Sequence, residues 1–255
     1  MPDHPSRAAY QTGEPAPLVR TRNGRRTLEF TPGDIQSEMV LARPHALALA
    51  YLRAMMCFVL FVPRPRHIVM VGLGGGSLAK FCHRYFPRAR ITVIELRADV
   101  IALRDEFLVP PDDARLRVVQ GDAAEILPRL RGQADVLLVD GFDAGGLPPR
   151  LADLPFYADC RRALRPGGVL VANVFTYDPR YRDVLAALDT VFDGRTCWLR
   201  GVAGNNRIMY AVAAGDDTPA ARMQRRVARW RGLGTGWLNR LGVRLVLAWI
   251  AWQVS

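Results

Sequence analysis

The sequence predicts an α/β protein built on a doubly wound, Rossmann-like sheet, and three observations carry that expectation. Short apolar runs alternate with amphipathic segments from about residue 67 to 213, the pattern a parallel sheet imposes when helices cover both of its faces. The run His67-Ile-Val-Met-Val-Gly-Leu-Gly-Gly-Gly-Ser77 reads as a strand, a glycine turn and the start of a helix with Leu78, Phe81, Cys82 and Tyr85 on its apolar side. Ile91-Thr-Val-Ile-Glu95 then reads as a second strand ending in a carboxylate, at about the twenty-residue interval from Gly72 that a nucleotide-binding fingerprint requires. Glycine lets the backbone leave a strand at positive φ and approach a ligand closely, and an acid at the end of the next strand accepts both hydroxyls of a ribose. Strand, turn, helix and acid in this order hold an adenosine.

From the N-terminus, residues 1–17 are rich in proline and polar side chains and form an expected flexible arm. Residues 18–62 supply a small β element and a helix. Asn23-Gly24 is a hairpin signal within residues 18–30, a stretch too short to fold alone. The apolar stretch 46–62 contains Arg53 and falls short of the roughly twenty residues that span a bilayer. It is expected as a buried helix beside the sheet, ended by Pro63 and Pro65. Residues 63–214 form the nucleoside-binding catalytic unit. Strands buried on both faces read as continuous apolar runs, and such runs occur at 67–71, 90–94, 116–120, 136–140 and 169–174,. Helical patterns lie between them at 77–85, 98–107, 123–130, 155–164 and 181–192. Residues 195–199 and 207–213 read as a closing hairpin at the sheet edge, with 201–206 as its turn. Residues 215–255 complete the chain as a basic helical tail.

Composition narrows the class. The chain has 255 residues, half of them apolar, which suits one principal core with appendages and excludes a disordered protein. Its net charge is +11, yet Lys80 is the only lysine and every other basic residue is arginine. The excess is unevenly placed: no acid follows Asp217, whereas Arg222, Arg225, Arg226, Arg229, Arg231, Arg240 and Arg244 do. Cys57, Cys82, Cys160 and Cys197 are widely spaced without a Cys-x-x-Cys pair, which argues against a zinc site or a disulfide scaffold. His45, His67 and His83 have no carboxylate or cysteine at ligand spacing, so no metal is expected. No secretory leader or transmembrane segment is read from the chain, and a reducing cytoplasm fits it best.

Ligands of open α/β sheets bind at the carboxyl ends of the strands, and four acids fall there: Glu95, Asp122, Asp140 and Asp143. Each has a bland alternative. Asp122 precedes Ala123-Ala-Glu-Ile-Leu and is well placed to cap a helix, and Asp143 suits a turn. A run of acids at consecutive strand ends favours a ligand role over any one of these alternatives.

Gly72-Leu-Gly-Gly-Gly-Ser77, Val93-Ile-Glu95, Gln120-Gly-Asp-Ala123, Val139-Asp-Gly-Phe-Asp143, Phe156-Tyr157 and Leu164-Arg-Pro-Gly-Gly-Val-Leu170 occur in this order. The chain thereby resembles the spermidine synthase family of polyamine aminopropyltransferases, over about residues 18–213. The resemblance implies a sheet of the S-adenosylmethionine methyltransferase type, decarboxylated S-adenosylmethionine as co-substrate, a small-molecule amine such as putrescine as acceptor, and a homodimer joined through the N-terminal element. It assigns ribose to Glu95, the adenine amine to Asp122, assistance of the attacking amine to Asp140 and the amine substrate to Asp143. Gly72, Gly74, Gly75 and Ala123 fall within its cofactor-binding motifs, and Gln36 matches the glutamine that follows the family's N-terminal β element. The pair Asp140-x-x-Asp143 also has its own logic. A polyamine is a cation at neutral pH and attacks a sulfonium carbon only when deprotonated, so two carboxylates attract it and one takes the proton.

The chain departs from the family at three places. Gly75 stands where the family loop carries an aspartate that binds the amine of the decarboxylated cofactor, Ser37-Glu-Met-Val-Leu-Ala-Arg-Pro replaces Asp-Glu-x-x-Tyr, and Gly204-Asn-Asn-Arg207 lacks an aromatic and proline signature. Loss of the loop carboxylate also removes a repulsion toward intact S-adenosylmethionine. A methyltransferase of unknown substrate, using S-adenosylmethionine, and a non-catalytic nucleoside-binding relative therefore stand beside the aminopropyltransferase. In the tail, Arg222, Arg225, Arg226 and Arg229 recur at helical spacing, with Met223, Val227 and Trp230 on another face. This suits either an amphipathic helix that touches anionic lipid or RNA, or a helix packed on the domain or a second subunit.

Overall fold

The computed structural model describes residues 16–141, 146–199, 204–213, 222–223 and 236–252, with backbone alone for 236–238. Most of the N-terminal arm, Asp143, residues 201–203 of the 201–206 turn and tail residues 224–235 lie outside the described residues.

Three strands open the fold: β1 (Leu18–Arg22), β2 (Arg25–Glu29) and β3 (Ile35–Val40). They form an antiparallel sheet in the order β1-β2-β3. Asn23 and Gly24 both adopt positive φ, 49° and 71°, as a tight hairpin between right-twisted strands demands. Gln36 thus lies inside the third strand, not after the β element.

Seven strands build the large sheet: β4 (His67–Val71), β5 (Arg90–Glu95), β6 (Leu116–Gln120), β7 (Ala134–Val139), β8 (Leu164–Phe175), β9 (Thr196–Trp198) and β10 (Asn206–Ala213). Their order is β6-β5-β4-β7-β8-β10-β9. β4 through β8 run parallel, whereas β10 pairs antiparallel with β8 and β9. The hairpin read at 195–213 does close one edge, with β9 outermost. Side chains alternate strictly between two cores. Ile68, Met70, Ile91, Val93, Val136, Leu138, Val169 and Val171 face one, and Val69, Val71, Ile94, Leu137, Val139, Leu170 and Ala172 the other. Each of these side chains larger than alanine contributes roughly 1.5–3 kcal/mol by leaving water, and a one-residue slip would exchange the two sets.

The first core is covered by α1 (Ala50–Met55), a 3₁₀ turn (Met56–Leu60), α2 (Ser77–Tyr85), α3 (Ala98–Ala102) and α7 (Gly236–Trp252), together with Leu28, Phe30 and Met39 of the small sheet region. The second is covered by α4 (Ala123–Ile126), α5 (Leu154–Ala163) and α6 (Tyr181–Val191). Two expected helices are shorter than their periodicity suggests. At 98–107 the α-helix ends at Ala102; the Phe107 carbonyl is taken by Lys80 Nζ at 2.5 Å and Leu108 turns to φ 54°, ahead of Pro110. At 123–130 the helix tightens to a 3₁₀ turn over Leu127–Arg129, because Pro128 has no N–H to continue the α ladder. β8 in turn begins five residues before the expected start, since Leu164 already pairs with Ala134 ahead of the irregularity between Ala134 and Val136.

The small sheet is fastened to the large one. Lys80 Nζ lies 3.1 Å from Met39 Sδ, the Arg97 guanidinium sits 4.6 Å over the Phe30 ring, and Arg26 donates to the Glu106 carbonyl. Lys80 is fully buried, and burial lowers its pKa to about 8.

Candidate active site

β4 hands the chain leftward to β5 and β7 hands it rightward to β8, so a crevice opens between β4 and β7 at the carboxyl ends of the strands. This is the switch point at which doubly wound sheets bind ligands. The loop 72–76 fills one wall. Gly72 has φ 93°, and its N–H donates to the Ile94 carbonyl at 2.9 Å. A Cβ there would collide with the Asp140 carbonyl. Gly74 and Gly76 also adopt positive φ, 51° and 64°, and the turn ends in α2.

Glu95 closes β5 beneath this loop. Its Oε2 accepts from the Leu73 amide at 2.7 Å and its Oε1 from the Arg97 amide at 2.9 Å. Burial raises the carboxyl above its ordinary pKa, against the lowering effect of the Arg97, Leu73, Gly74 and Leu96 amides. Of the loop glycines, only at Gly74 would an added Cβ meet nothing closer than Ser37 Cβ at 3.8 Å, so the loop meets the carboxylate with backbone alone. A carboxylate at a strand end under a glycine loop is the kind of acceptor a ribose diol requires.

Asp122 caps α4, accepting from the Ala124 amide at 2.8 Å, and its second oxygen meets Arg150 Nη1 at 2.5 Å. The capping alternative is thus realised, and it leaves the outer oxygen on an exposed, displaceable arginine. Ala123 is buried as the first residue of α4. Gln36 does not turn to the loop, since its Nε2 donates to Asp34 at 2.8 Å. Ser37, its neighbour on the opposite strand face, does: a Cβ on Gly75 would stand 2.7 Å from Ser37 Oγ and 2.8 Å from Phe107 Cδ1. The position that carries aspartate in the family has no room for one here unless Ser37 and Phe107 move.

Asp140 follows β7 in the crevice. Its Oδ1 accepts from Asn173 Nδ2 at 2.9 Å and its Oδ2 from the Tyr51 hydroxyl at 3.1 Å. A carboxylate only accepts, so Asn173 must present its NH₂ to Asp140 and its carbonyl elsewhere; that carbonyl takes Asn206 Nδ2 at 3.0 Å. Burial raises the Asp140 carboxyl, opposed by the bonds from Asn173 and Tyr51. Burial and the neighbouring Asp140 in turn raise the Tyr51 phenol well above its usual value, so it stays a donor. α1, which carries Tyr51, is fixed from below by Tyr210 of β10, whose hydroxyl donates to the Ala54 carbonyl at 2.6 Å.

The structure thus brings together the glycine loop, Glu95 and Asp140, with Asp122 at the next strand end. Tyr51, Asn173, Asn206 and Arg150 are additions to the sequence reading. Asn173 had a signal, a lone amide within the apolar run Val169-Leu-Val-Ala-Asn-Val-Phe175. Tyr51 had none, because an aromatic in an apolar helix reads as core. Among the described residues no group of three or more His, Cys, Asp and Glu side chains is arranged to hold a metal ion.

A family model described as the spermine/spermidine synthase domain matches residues 48–190. The chain is 35% identical over 223 residues to the polyamine aminopropyltransferase of Neisseria meningitidis, covering 86% of this chain and 84% of that one. It is 39% identical over 196 residues to the polyamine aminopropyltransferase of Chromobacterium violaceum, with 76% and 74% covered. A solved structure of a probable spermidine synthase from Corynebacterium glutamicum is similar with a TM-score of 0.67 at 22% identity, over 82% of each chain. At that identity the likeness is one of fold.

Proposed function

The chain belongs to the spermine/spermidine synthase family, and on that premise we propose that it is an aminopropyltransferase using decarboxylated S-adenosylmethionine and a small amine such as putrescine. The observation that carries the reading is Asp140, a half-buried carboxylate at the switch point with both oxygens oriented by donors. In this reading the glycine loop and Ala123 receive the nucleoside, Glu95 accepts the ribose hydroxyls, and the adenine amine replaces Arg150 on the outer oxygen of Asp122. Asp143 attracts the distal end of the amine.

The chemistry needs little from the protein beyond placement and one base. The amine lone pair attacks the propyl carbon next to the sulfonium, the C–N bond forms as the C–S bond breaks, and the bonding pair returns to sulfur as neutral methylthioadenosine. The lone pair is made available by Asp140, which takes the proton of the substrate ammonium as the amine enters and whose raised pKa improves it as an acceptor near neutral pH,; the product leaves as the secondary ammonium. Alignment of amine, carbon and sulfur supplies most of the remaining acceleration. A cytoplasmic homodimer joined through the N-terminal sheet completes the reading. Among the described residues no helix is long and apolar enough to cross a membrane.

Calorimetric binding of decarboxylated and intact S-adenosylmethionine in parallel, followed by putrescine turnover, tests the assignment. Preference for the decarboxylated form is expected, with turnover reduced roughly 10²–10⁴-fold in Asp140→Asn. Preference for the intact form with methyl transfer would overturn it, and so would full turnover in the variant.

A further inference from the structure

The C-terminal helix α7 has two apolar faces, and the large domain uses one of them. Val243 and Ile250 are buried in the first core, and Val246 and Leu247 pack partly against it. The opposite face presents Leu241, Leu245, Trp249 and Trp252, which are 46%, 63%, 38% and 74% exposed. Their spacing places them on one stripe along about three turns of helix. Four of the eleven large exposed apolar side chains among the described residues lie on this one helix. Scattered single apolar residues need no explanation, whereas a contiguous stripe marks an interaction surface.

Charge identifies the partner. Arg240 and Arg244 flank the stripe, each one residue before an exposed leucine, and both are exposed. From residue 218 onward the sequence holds seven arginines and no aspartate or glutamate. Two copies meeting stripe to stripe would bring these like-charged segments together with no acid among them to offset the repulsion. An anionic bilayer supplies both the apolar layer and the opposite charge, and tryptophan favours the level of the headgroups. The 17 residues of α7 span about 25 Å, less than the ~30 Å hydrocarbon core, so the helix lies in the interface and does not cross it.

We propose that the outward face of α7 docks the protein on anionic lipid surfaces, with Leu241, Leu245, Trp249 and Trp252 entering the headgroup boundary and the arginines contacting the lipid phosphates. The proposal is independent of the reaction assigned above.

Co-sedimentation of the full-length protein with phosphatidylcholine vesicles, and with vesicles of phosphatidylcholine mixed with phosphatidylglycerol, tests it, with Leu245→Ser/Trp252→Ser as the variant. Both positions point away from the core, so folding is expected to survive, as circular dichroism will show. The wild type is expected to pellet with the anionic vesicles only, and the double variant to bind at least about tenfold more weakly. Quenching of wild-type tryptophan fluorescence by brominated lipid gives a second readout that needs no variant. Failure to bind anionic vesicles, unchanged binding by the double variant, or absence of quenching would overturn the proposal. So would conversion of a wild-type dimer to a monomer by the variant, which would assign the stripe to a second copy. Tight binding of a random RNA without vesicle binding would assign the segment to nucleic acid and overturn it equally.

Discussion

Replacing Asn173 by alanine should shift the pH dependence of turnover. In the native site its NH₂ donates to Asp140 Oδ1 at 2.9 Å while its carbonyl is held by Asn206 at 3.0 Å. A hydrogen bond to a charged group contributes roughly 1.5–3 kcal/mol, and one pKa unit corresponds to about 1.4 kcal/mol. The bond favours the ionised form, so its removal adds to the effect of burial and raises the Asp140 pKa further. The measurement is the acidic limb of kcat against pH, followed as methylthioadenosine released at saturating putrescine. That limb should move toward higher pH in Asn173→Ala, and by a smaller step in the same direction in Asn206→Ala, where only the orienting contact is lost. The KM for the sulfonium substrate should change little, because neither amide is assigned a contact with it. A limb that stays in place in a variant with native circular dichroism would refute the reasoning, since Asp140 ionisation would then not govern the step.

Two further outcomes follow from the loop and its support. Gly72→Ala should destabilise the fold by at least about 2 kcal/mol and abolish nucleoside binding, because φ is 93° and the added Cβ meets the Asp140 carbonyl; an unchanged urea midpoint would contradict this. Lys80, with its pKa lowered by burial from 10.5 to about 8, binds fewer protons folded than unfolded between those values, so its contribution to stability rises with pH from about 8 to 10.5. The gain is on the order of 3 kcal/mol. Urea unfolding at several pH values should show this rise in the wild type and lose it in Lys80→Met; equal slopes in both would place the effect elsewhere.

Much of the fold was legible because strands buried on both faces leave continuous apolar runs, and helices between them leave a 3.6-residue rhythm. The five parallel strands and the closing hairpin follow directly from that contrast. What the pattern could not convey is where a local rhythm yields to a distant contact. The helix expected at 98–107 gives way after Ala102 to i→i−3 turns at Leu103 and Arg104, and the Phe107 carbonyl beyond them is taken by Lys80 of another helix, a residue that no window on 98–107 contains. The site divides the same way. Glu95, Asp122 and Asp140 announce themselves by standing at strand ends, whereas Tyr51 and Asn206 reach Asp140 from residues 89 positions before it and, through Asn173, 66 positions after it. Gly75 was visible as a missing carboxylate, but only the structure identifies Ser37 and Phe107 as the groups that occupy its place.

The fastening of the small sheet has a thermodynamic consequence. Leu28, Phe30 and Met39 belong to the same core as the central strands, and Ser37 stands against the glycine loop. Opening of β1–β3 would therefore expose the underside of that loop, and ordering of the loop by a bound nucleoside would oppose the opening. Amide protons of β2 and β3, remote from the adenosine crevice in sequence, should consequently exchange more slowly with ligand present, so that the least substantial layer of the molecule reports the occupancy of its deepest one.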